Sequence, residues 1–215
     1  EGSETAKIDF TNSTVRSAVR VFWRAMSRCR MASLRAMTAD TVRPDITTFA
    51  KAVANGYPIA VVAGREEVMR TFRYGRASHG GTYTAHAVSL AAAEECLRIL
   101  DETPALETLA TYGERLKTGI TKILDARGIV HSYTGHSSMF GLFFAERPPS
   151  NYREWKKSDY SFYDQMAYFL HDLGIIVEPD SREPWFMCEA HGLDPSCLTD
   201  TLKAVETAVD LTLEH

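Results

Sequence analysis

A single lysine stands in an otherwise uncharged part of this sequence. Residues 46–64, ITTFAKAVANGYPIAVVAG, contain one charged side chain, Lys51. An ammonium group among apolar neighbours such as Phe49 and Val53 is costly to desolvate, so we expect the pKa of Lys51 to fall and its neutral amine to react with carbonyl carbons. Such a lysine can form a Schiff base. The alternative is a long side chain that runs past its neighbours to water.

A turn rich in glycine and hydroxyl groups is the second candidate site. Residues 79–84 read HGGTYT, and we expect a helix to begin directly after them, near His86. Glycine N–H groups and the Thr82 hydroxyl at a helix start can bind the oxygens of a phosphate. Ordinary turn formation and helix capping explain the same residues without any ligand.

The elements that position these residues follow from hydrophobic periodicity. From Pro44 onward, short apolar runs alternate with helical periods, which predicts an α/β region. Strands are expected at 59–63, 129–134, 139–144 and 175–177. Helices are expected at 86–100, 105–127, 160–173 and from Pro195 onward. Asp194 is the expected N-cap of the last helix, Gly128 ends the second, and 146–158 form a polar loop. A boundary near residue 102 gives domains of 1–102 and 103–215.

Composition restricts the classes of function. The 215 residues carry 24 Lys and Arg against 28 Asp and Glu, a net charge of −4, so no bulk positive field favours nucleic acid or anionic lipid. No membrane-spanning stretch or export signal is visible, and the four cysteines lack C-x-x-C spacing. We therefore expect a cytoplasmic protein with reduced thiols. His131 and His136 lack companion ligands, so no metal is expected.

Residues 10–43 form a local basic segment. Arg16, Arg20, Arg24 and Arg28 recur with helical spacing, on a different face from a row of apolar side chains. We interpret this stripe as the solvated face of an amphipathic helix. A nucleic-acid contact is the alternative, and it predicts binding that weakens steeply with added salt.

Two long segments resemble a known family. The runs PDITTFAKAVANGYPIAVVAG and HGGTYTAHAVSLAAAEECLRIL resemble the class III aminotransferases, the group that contains ω-transaminases and glutamate-1-semialdehyde aminomutase. The later segments SSMFGLFF, LGIIVEPDSREPWF and CEAHGLDPSCLTDTLKAVETAV resemble that family's small domain. The paired motifs make the resemblance specific.

The resemblance implies a fold, a cofactor and a set of site residues. The implied fold class is α/β, a large-domain remnant of the PLP-dependent transferase fold (fold type I) followed by an α+β C-terminal small domain. Lys51 would hold pyridoxal 5'-phosphate (PLP) as a Schiff base and then move a proton between substrate and cofactor. Gly81 and Thr82 would bind the cofactor phosphate, with Thr82 reaching across the interface of a homodimer. Arg182 would meet a substrate carboxylate, unless it forms a surface salt bridge.

The upstream part of the chain departs from the family's pattern. Family members are longer, and their N-terminal half carries a phosphate loop, a stacking aromatic residue and a carboxylate for the pyridine nitrogen. An ungapped alignment places Trp23 and Arg24 at the acidic pair, where neither can act as a carboxylate. We expect Arg24 or another nearby cation to contact the ring nitrogen, which weakens the ring as an electron sink, and Trp23 or Tyr83 to stack on the ring.

Two classes of function remain from this reading. The first is a PLP-dependent transaminase that moves an amino group between an amine or amino acid and a keto or aldehyde acceptor. The second is a catalytically inactive aminotransferase remnant that serves as a dimerisation or interaction module.

Overall fold

The computed structural model describes residues 45–72, 76–78 and 80–215. The chain divides into two compact units, with the boundary between Thr103 and Pro104. Each unit has its own sheet and its own hydrophobic core. The expected amphipathic helix with its arginine stripe lies outside the described residues.

The described part of the first unit contains a two-stranded antiparallel sheet. Strand β1 is Ile46–Phe49 and strand β2 is Val61–Gly64. Their register pairs Ile46 with Gly64 and Phe49 with Val61. A Cβ atom at Gly64 would lie 2.4 Å from the carbonyl oxygen of Asp45, so this close approach of the two chains requires glycine.

Helices make up most of the rest of the first unit's described residues. A 3₁₀ helix, Lys51–Ala54, lies between the strands, and the short helix α1, Glu66–Met69, follows β2 and continues into a second 3₁₀ turn. Helix α2 is Ala87–Glu102. Leu97 of α2 is buried, and Phe49, Val53 and Val61 pack against it. Helix α2 therefore anchors both strands and the 3₁₀ helix between them.

The second unit packs long helices on a three-stranded antiparallel sheet. The sheet has the order β3, Ser132–His136, then β4, Met139–Phe143, then β5, Trp185–Phe186. The long helices are α3, Ala105–Asp125, α5, Tyr160–Asp172, and α7, Pro195–Glu214. Two short helices, α4 and α6, are Tyr152–Trp155 and Glu189–Leu193. Helix α7 packs against α3, α5 and α6.

The core of the second unit explains why its helices form. Buried residues recur every three or four positions along each long helix, which is the period of one helical face. They include Leu116, Ile120 and Leu124 of α3, Met166 and Leu170 of α5, and Val205 and Val209 of α7. Phe140 and Leu142 of β4 close the core from the sheet side.

Several sequence predictions are confirmed in the second unit. All three long helices lie where periodicity placed them. Gly128, with φ +68°, follows α3, and its N–H donates to the Asp125 carbonyl at 3.0 Å. The Asp194 carboxylate caps α7 by accepting the Ser196 N–H at 2.9 Å. Within the described residues, no helix is both long enough and apolar enough to cross a bilayer.

The predicted strand at 175–177 is wrong. The segment follows α5 without joining any strand of the described sheets. It is held instead by isolated hydrogen bonds, from the Ile175 N–H to the Leu170 carbonyl and between His171 Nε2 and the Val177 carbonyl. A β-branched run favours extended backbone, but it needs a neighbouring ladder to become a strand. The expected loop at 146–158 likewise contains the short helix α4.

Candidate active site

Lys51 lies immediately after β1, at the first position of the 3₁₀ helix. Its backbone has φ +52°, in the left-handed region, while the preceding Ala50 is extended. A left-handed backbone at a residue with a Cβ costs about 1–2 kcal/mol. The contacts around this segment must therefore compensate for an unfavourable backbone at the candidate catalytic residue.

The side chain of Lys51 is exposed in the single chain, contrary to the dry surroundings expected from the sequence. The neighbouring Ala52 is exposed too, and only Ala54 of this helix is fully buried. In the described part of the chain, the Lys51 amine makes no hydrogen bond or ion pair, so it is available to a ligand.

The second candidate site is an exposed turn directly before α2. Residues 82–85 form this turn, closed by hydrogen bonds from the Thr84 N–H to the Gly81 carbonyl at 3.0 Å and from the His86 N–H to the Tyr83 carbonyl at 3.1 Å. A Cβ at Gly80, just before the turn, would meet no atom within 4 Å, so the space beside this glycine is open. The Thr82 hydroxyl is exposed and has no partner among the described residues.

His86 caps α2, a role that the sequence reading missed. Its Nδ1 accepts the Ser89 N–H at 3.4 Å and lies 2.9 Å from the Ser89 hydroxyl. The Tyr83 ring, 68% exposed, meets the His86 ring edge-on with centroids 6.1 Å apart. Ala85, between the turn and the cap, has φ +57°. No pattern in the sequence indicates a left-handed alanine, because this conformation normally selects glycine.

The Lys51 segment and the Thr82 turn carry the functional groups that a phosphorylated aldehyde requires. A primary amine reacts with an aldehyde carbon, and a hydroxyl beside glycine N–H groups binds phosphate oxygens. Both polar side chains are exposed and unpartnered within the residues that the structure describes. The Lys51 segment packs on Leu97, about three helical turns or roughly 16 Å along α2 from His86, where the Thr82 turn ends.

Arg182 is already engaged by its own neighbours. Its Nε donates to both carboxylate oxygens of Asp180 at 2.8 Å, and its Nη2 donates to Oδ2 of the same group. Its guanidinium carbon lies 5.0 Å from the centre of the Trp155 ring. The hydrogen bonds to Asp180 raise the pKa of Arg182, and Arg182 in turn lowers the pKa of Asp180. Of the two readings left open, the structure shows the surface salt bridge.

A stack of aromatic side chains beside Arg182 was not predicted from the sequence. Trp155 lies between Tyr152 and Tyr160, with centroids 5.3 and 4.8 Å away and nearly parallel rings. The Trp155 Nε1 donates to the Ser181 hydroxyl at 2.8 Å, which joins the 146–158 segment to the Asp180 turn. Nearby Asp164 has a raised pKa because it is partly buried and repelled by Asp180.

The remaining candidates divide into hydrogen-bonded and undescribed residues. His131 Nδ1 lies 3.0 Å from the Ile129 carbonyl, and His136 Nδ1 lies 3.0 Å from the Ser138 hydroxyl. Both imidazoles thus have local partners. Trp23 and Arg24 lie outside the described residues, so their contact with a cofactor stays a prediction.

Comparison with known proteins places the chain in a family. Residues 30–203 match the class-III aminotransferases, and the chain belongs to this family of PLP-dependent enzymes. It is 30% identical over 189 residues to glutamate-1-semialdehyde 2,1-aminomutase of Methanothermobacter thermautotrophicus, covering 87% of this chain and 44% of the relative. The corresponding enzyme of Bordetella avium is 28% identical, with 92% of this chain and 46% of the relative covered. The chain thus spans less than half the length of these relatives.

Solved structures confirm the expected fold class. The FumI protein of Sphingopyxis sp. MTA144, in its PLP internal aldimine form, is 30% identical, with a TM-score of 0.68 over 80% of this chain and 38% of that one. An omega-transaminase from Sphaerobacter thermophilus is 25% identical, with a TM-score of 0.70 over 92% of this chain and 48% of that one. The chain therefore has part of the fold of PLP-dependent transaminases.

Proposed function

We propose that this chain transfers an amino group between an amine or amino acid and a keto or aldehyde acceptor, with Lys51 as the residue that binds PLP covalently. The observation that supports this most directly is that a chain of this family carries both Lys51 and the pair Gly81 and Thr82. The Lys51 amine and the Thr82 hydroxyl are both exposed, and neither has a partner among the described residues. PLP supplies an aldehyde that amines attack and a ring that withdraws electrons from the substrate carbon.

Each residue has a separate task in this proposal. The Lys51 amine would hold the cofactor covalently at its aldehyde carbon and, when not so engaged, would hold and move a proton at its Nζ. The Thr82 hydroxyl and the Gly81 N–H bind the phosphate. The exposed ring of Tyr83 offers stacking area. Arg182 binds a substrate carboxylate only if that carboxylate displaces Asp180 from its guanidinium.

The chain is proposed to act as a homodimer in the cytoplasm. Dimerisation is supported by a distance within one copy: the Lys51 segment packs about three turns along α2 from the end of the Thr82 turn. Lys51 of one copy and Thr82 of a second copy can meet where the two groups of a single copy are far apart. A reducing compartment is supported by Cys96, Cys188 and Cys197, which are free thiols.

An aminomutase is the second candidate, because the two curated relatives described above carry that name. A transaminase consumes a separate keto or aldehyde acceptor, whereas an aminomutase converts one substrate into its positional isomer with no net acceptor. Incubating an amino aldehyde alone separates them: repeated turnover to the isomer without an added acceptor indicates an aminomutase, and turnover only when a keto acid is added indicates a transaminase.

Covalent trapping tests the proposal. The purified chain is incubated with PLP, reduced with borohydride, digested and analysed by mass spectrometry. We expect a pyridoxyl group on Lys51 that disappears in Lys51→Ala and persists in Lys157→Ala, a matched exposed lysine of the second unit. An adduct spread over many lysines, or none at all, would contradict the proposal and favour the inactive remnant.

A panel of amino donors completes the test. Spectral change of the bound cofactor on adding each donor, followed by its reversal with a keto acid, shows both halves of a transamination. An adduct at Lys51 without any such change would support a protein that binds the cofactor but does not transfer nitrogen.

A further inference from the structure

The loop between β1 and β2 contains three residues with positive φ. They are Lys51 at 52°, Asn55 at 44° and Gly56 at 103°. Glycine adopts such angles freely and asparagine tolerates them, whereas lysine has neither advantage. The left-handed backbone at Lys51 therefore depends on contacts that fix the chain on both sides of it.

On the N-terminal side, the sheet fixes the chain. Phe49 pairs with Val61 in the last rung of the β1–β2 ladder, and Lys51 follows two residues later. At the other end of the ladder, Arg65 Nη1 lies 3.0 Å from an Asp45 carboxylate oxygen, and the Arg65 N–H donates to the Asp45 carbonyl. The strand that leads to Lys51 is held at both ends.

On the C-terminal side of Lys51, the 3₁₀ helix has long hydrogen bonds, and its side chains pack against α2. The Val53 N–H donates to the Ala50 carbonyl at 3.3 Å, and the Asn55 N–H donates to the Ala52 carbonyl at 3.4 Å. Val53 packs against the buried Leu97 of α2, and Ala54 is fully buried. Long 3₁₀ hydrogen bonds hold a turn weakly, so side-chain packing has the larger part in fixing this one.

We propose that Val53 is a positioning residue for Lys51. By packing on Leu97, Val53 keeps the 3₁₀ helix closed, and the closed helix keeps the Lys51 backbone left-handed. A change of φ from left-handed to right-handed would turn the Lys51 side chain to a different side of the chain. The direction of the amine is thus set from α2, through a residue that touches neither cofactor nor substrate. The consequence for cofactor capture rests on the proposed function, but the structural part does not.

The chain contains a matched control. Val61 packs on the same Leu97 but belongs to β2, so truncating its side chain weakens the same small core while its backbone pairing with Phe49 stays in place. We would compare Val53→Ala with Val61→Ala in the full chain. Amide hydrogen exchange at Asn55, without cofactor, reports whether the helix stays closed.

We expect Asn55 to exchange about tenfold faster in Val53→Ala, since losing two methyl groups of packing shifts an opening equilibrium by that order. Val61→Ala changes the exchange by less than about twofold, because the helix bonds themselves are untouched. Borohydride trapping of PLP at Lys51 slows in Val53→Ala, stays near the wild-type rate in Val61→Ala, and is restored in Val53→Ile.

The two readouts separate the two ideas. Equal exchange and trapping in the two alanine variants, or an unchanged Val53→Ala, overturns the role of Val53. A wild-type chain that shows the exchange difference but yields no adduct overturns the proposed function and leaves the structural link between Val53 and the turn established.

Discussion

Tyr163 and Trp185 form a buried hydrogen bond in the core of the second unit: the indole Nε1 donates to the phenol oxygen at 2.8 Å. The Tyr163 hydroxyl donates in turn to the Glu178 carbonyl at 2.9 Å. This chain of bonds ties α5 and β5 to the extended segment after α5. Burial raises the pKa of Tyr163, so the hydroxyl remains a donor at neutral pH.

Tyr163→Phe is expected to destabilise the second unit. The substitution leaves the Trp185 indole N–H and the Glu178 carbonyl without their partner, and an unsatisfied buried polar group costs about 1–3 kcal/mol. Urea unfolding followed by circular dichroism measures the loss. Tyr168→Phe is the control, because Tyr168 is exposed. Equal unfolding midpoints for the two variants would show that the bond contributes nothing.

Ala85→Gly is expected to stabilise the first unit. Ala85 has φ +57°, and glycine removes the roughly 1 kcal/mol penalty of a Cβ in that region. Ala91→Gly, at an exposed position inside α2, is the control and should cost about 1 kcal/mol. Opposite signs of the two changes in free energy of unfolding identify the left-handed position. Destabilisation by both would mean that Ala85 is not left-handed in solution.

Mixed dimers test whether Thr82 serves the neighbouring copy. Neither Lys51→Ala nor Thr82→Ala alone can assemble a complete site. If the groups come from different protomers, mixing the two inactive variants restores one complete site in each hybrid dimer, or about a quarter of wild-type activity after random exchange. Activity that stays at the level of the separate variants would place both groups in the same chain.

Stability is expected to fall at alkaline pH through three buried or half-buried phenols of the second unit, Tyr112, Tyr133 and Tyr163, whose pKa values are all raised by burial. Burial, the larger cause, and the Cys197 thiol, 3.4 Å from the hydroxyl, raise the pKa of Tyr112 to about 12. Burial also raises the pKa of Tyr133 to about 12. Because the unfolded value is near 10, the stabilisation present below pH 10 is lost as the pH rises towards 12.

Unfolding midpoints in urea measured from pH 8 to pH 12 follow that loss. Tyr112→Phe removes one of the three titrating phenols, so its midpoint is expected to fall less steeply with pH than that of the wild type. Tyr152→Phe, at an exposed position, keeps the wild-type slope. Identical slopes for all three proteins would contradict the assignment to Tyr112.

The sequence predicted those elements whose formation depends on residues close together in the chain. Helices α3 and α7 were predictable because their buried side chains recur at one period and their ends carry Gly128 and Asp194. The candidate Lys51 and Thr82 also came from the sequence. The strand at 175–177 was wrong because a β-branched run does not reveal whether a partner strand exists. The Arg182 stack with Trp155 joins residues far apart in the chain, which no local pattern contains.

Two features of the first unit, the exposure of Lys51 and the left-handed backbone of Ala85, could not be predicted from the sequence for a different reason. Apolar residues that are next to Lys51 in the sequence do not by themselves bury its side chain, which is exposed in the structure. An alanine in a glycine-like conformation leaves no mark in composition or spacing. Both depend on how the first unit packs rather than on the residues nearby.

The division at Thr103 has a spectroscopic consequence. Of the three tryptophans in the sequence, Trp155 and Trp185 belong to the second unit, and residues 45–103 contain none. Indole fluorescence from these two side chains reports on the second unit, and the segment that carries Lys51 has no indole of its own among residues 45–103. A tryptophan introduced at Tyr57, in the exposed turn before β2, would give that segment its own optical signal.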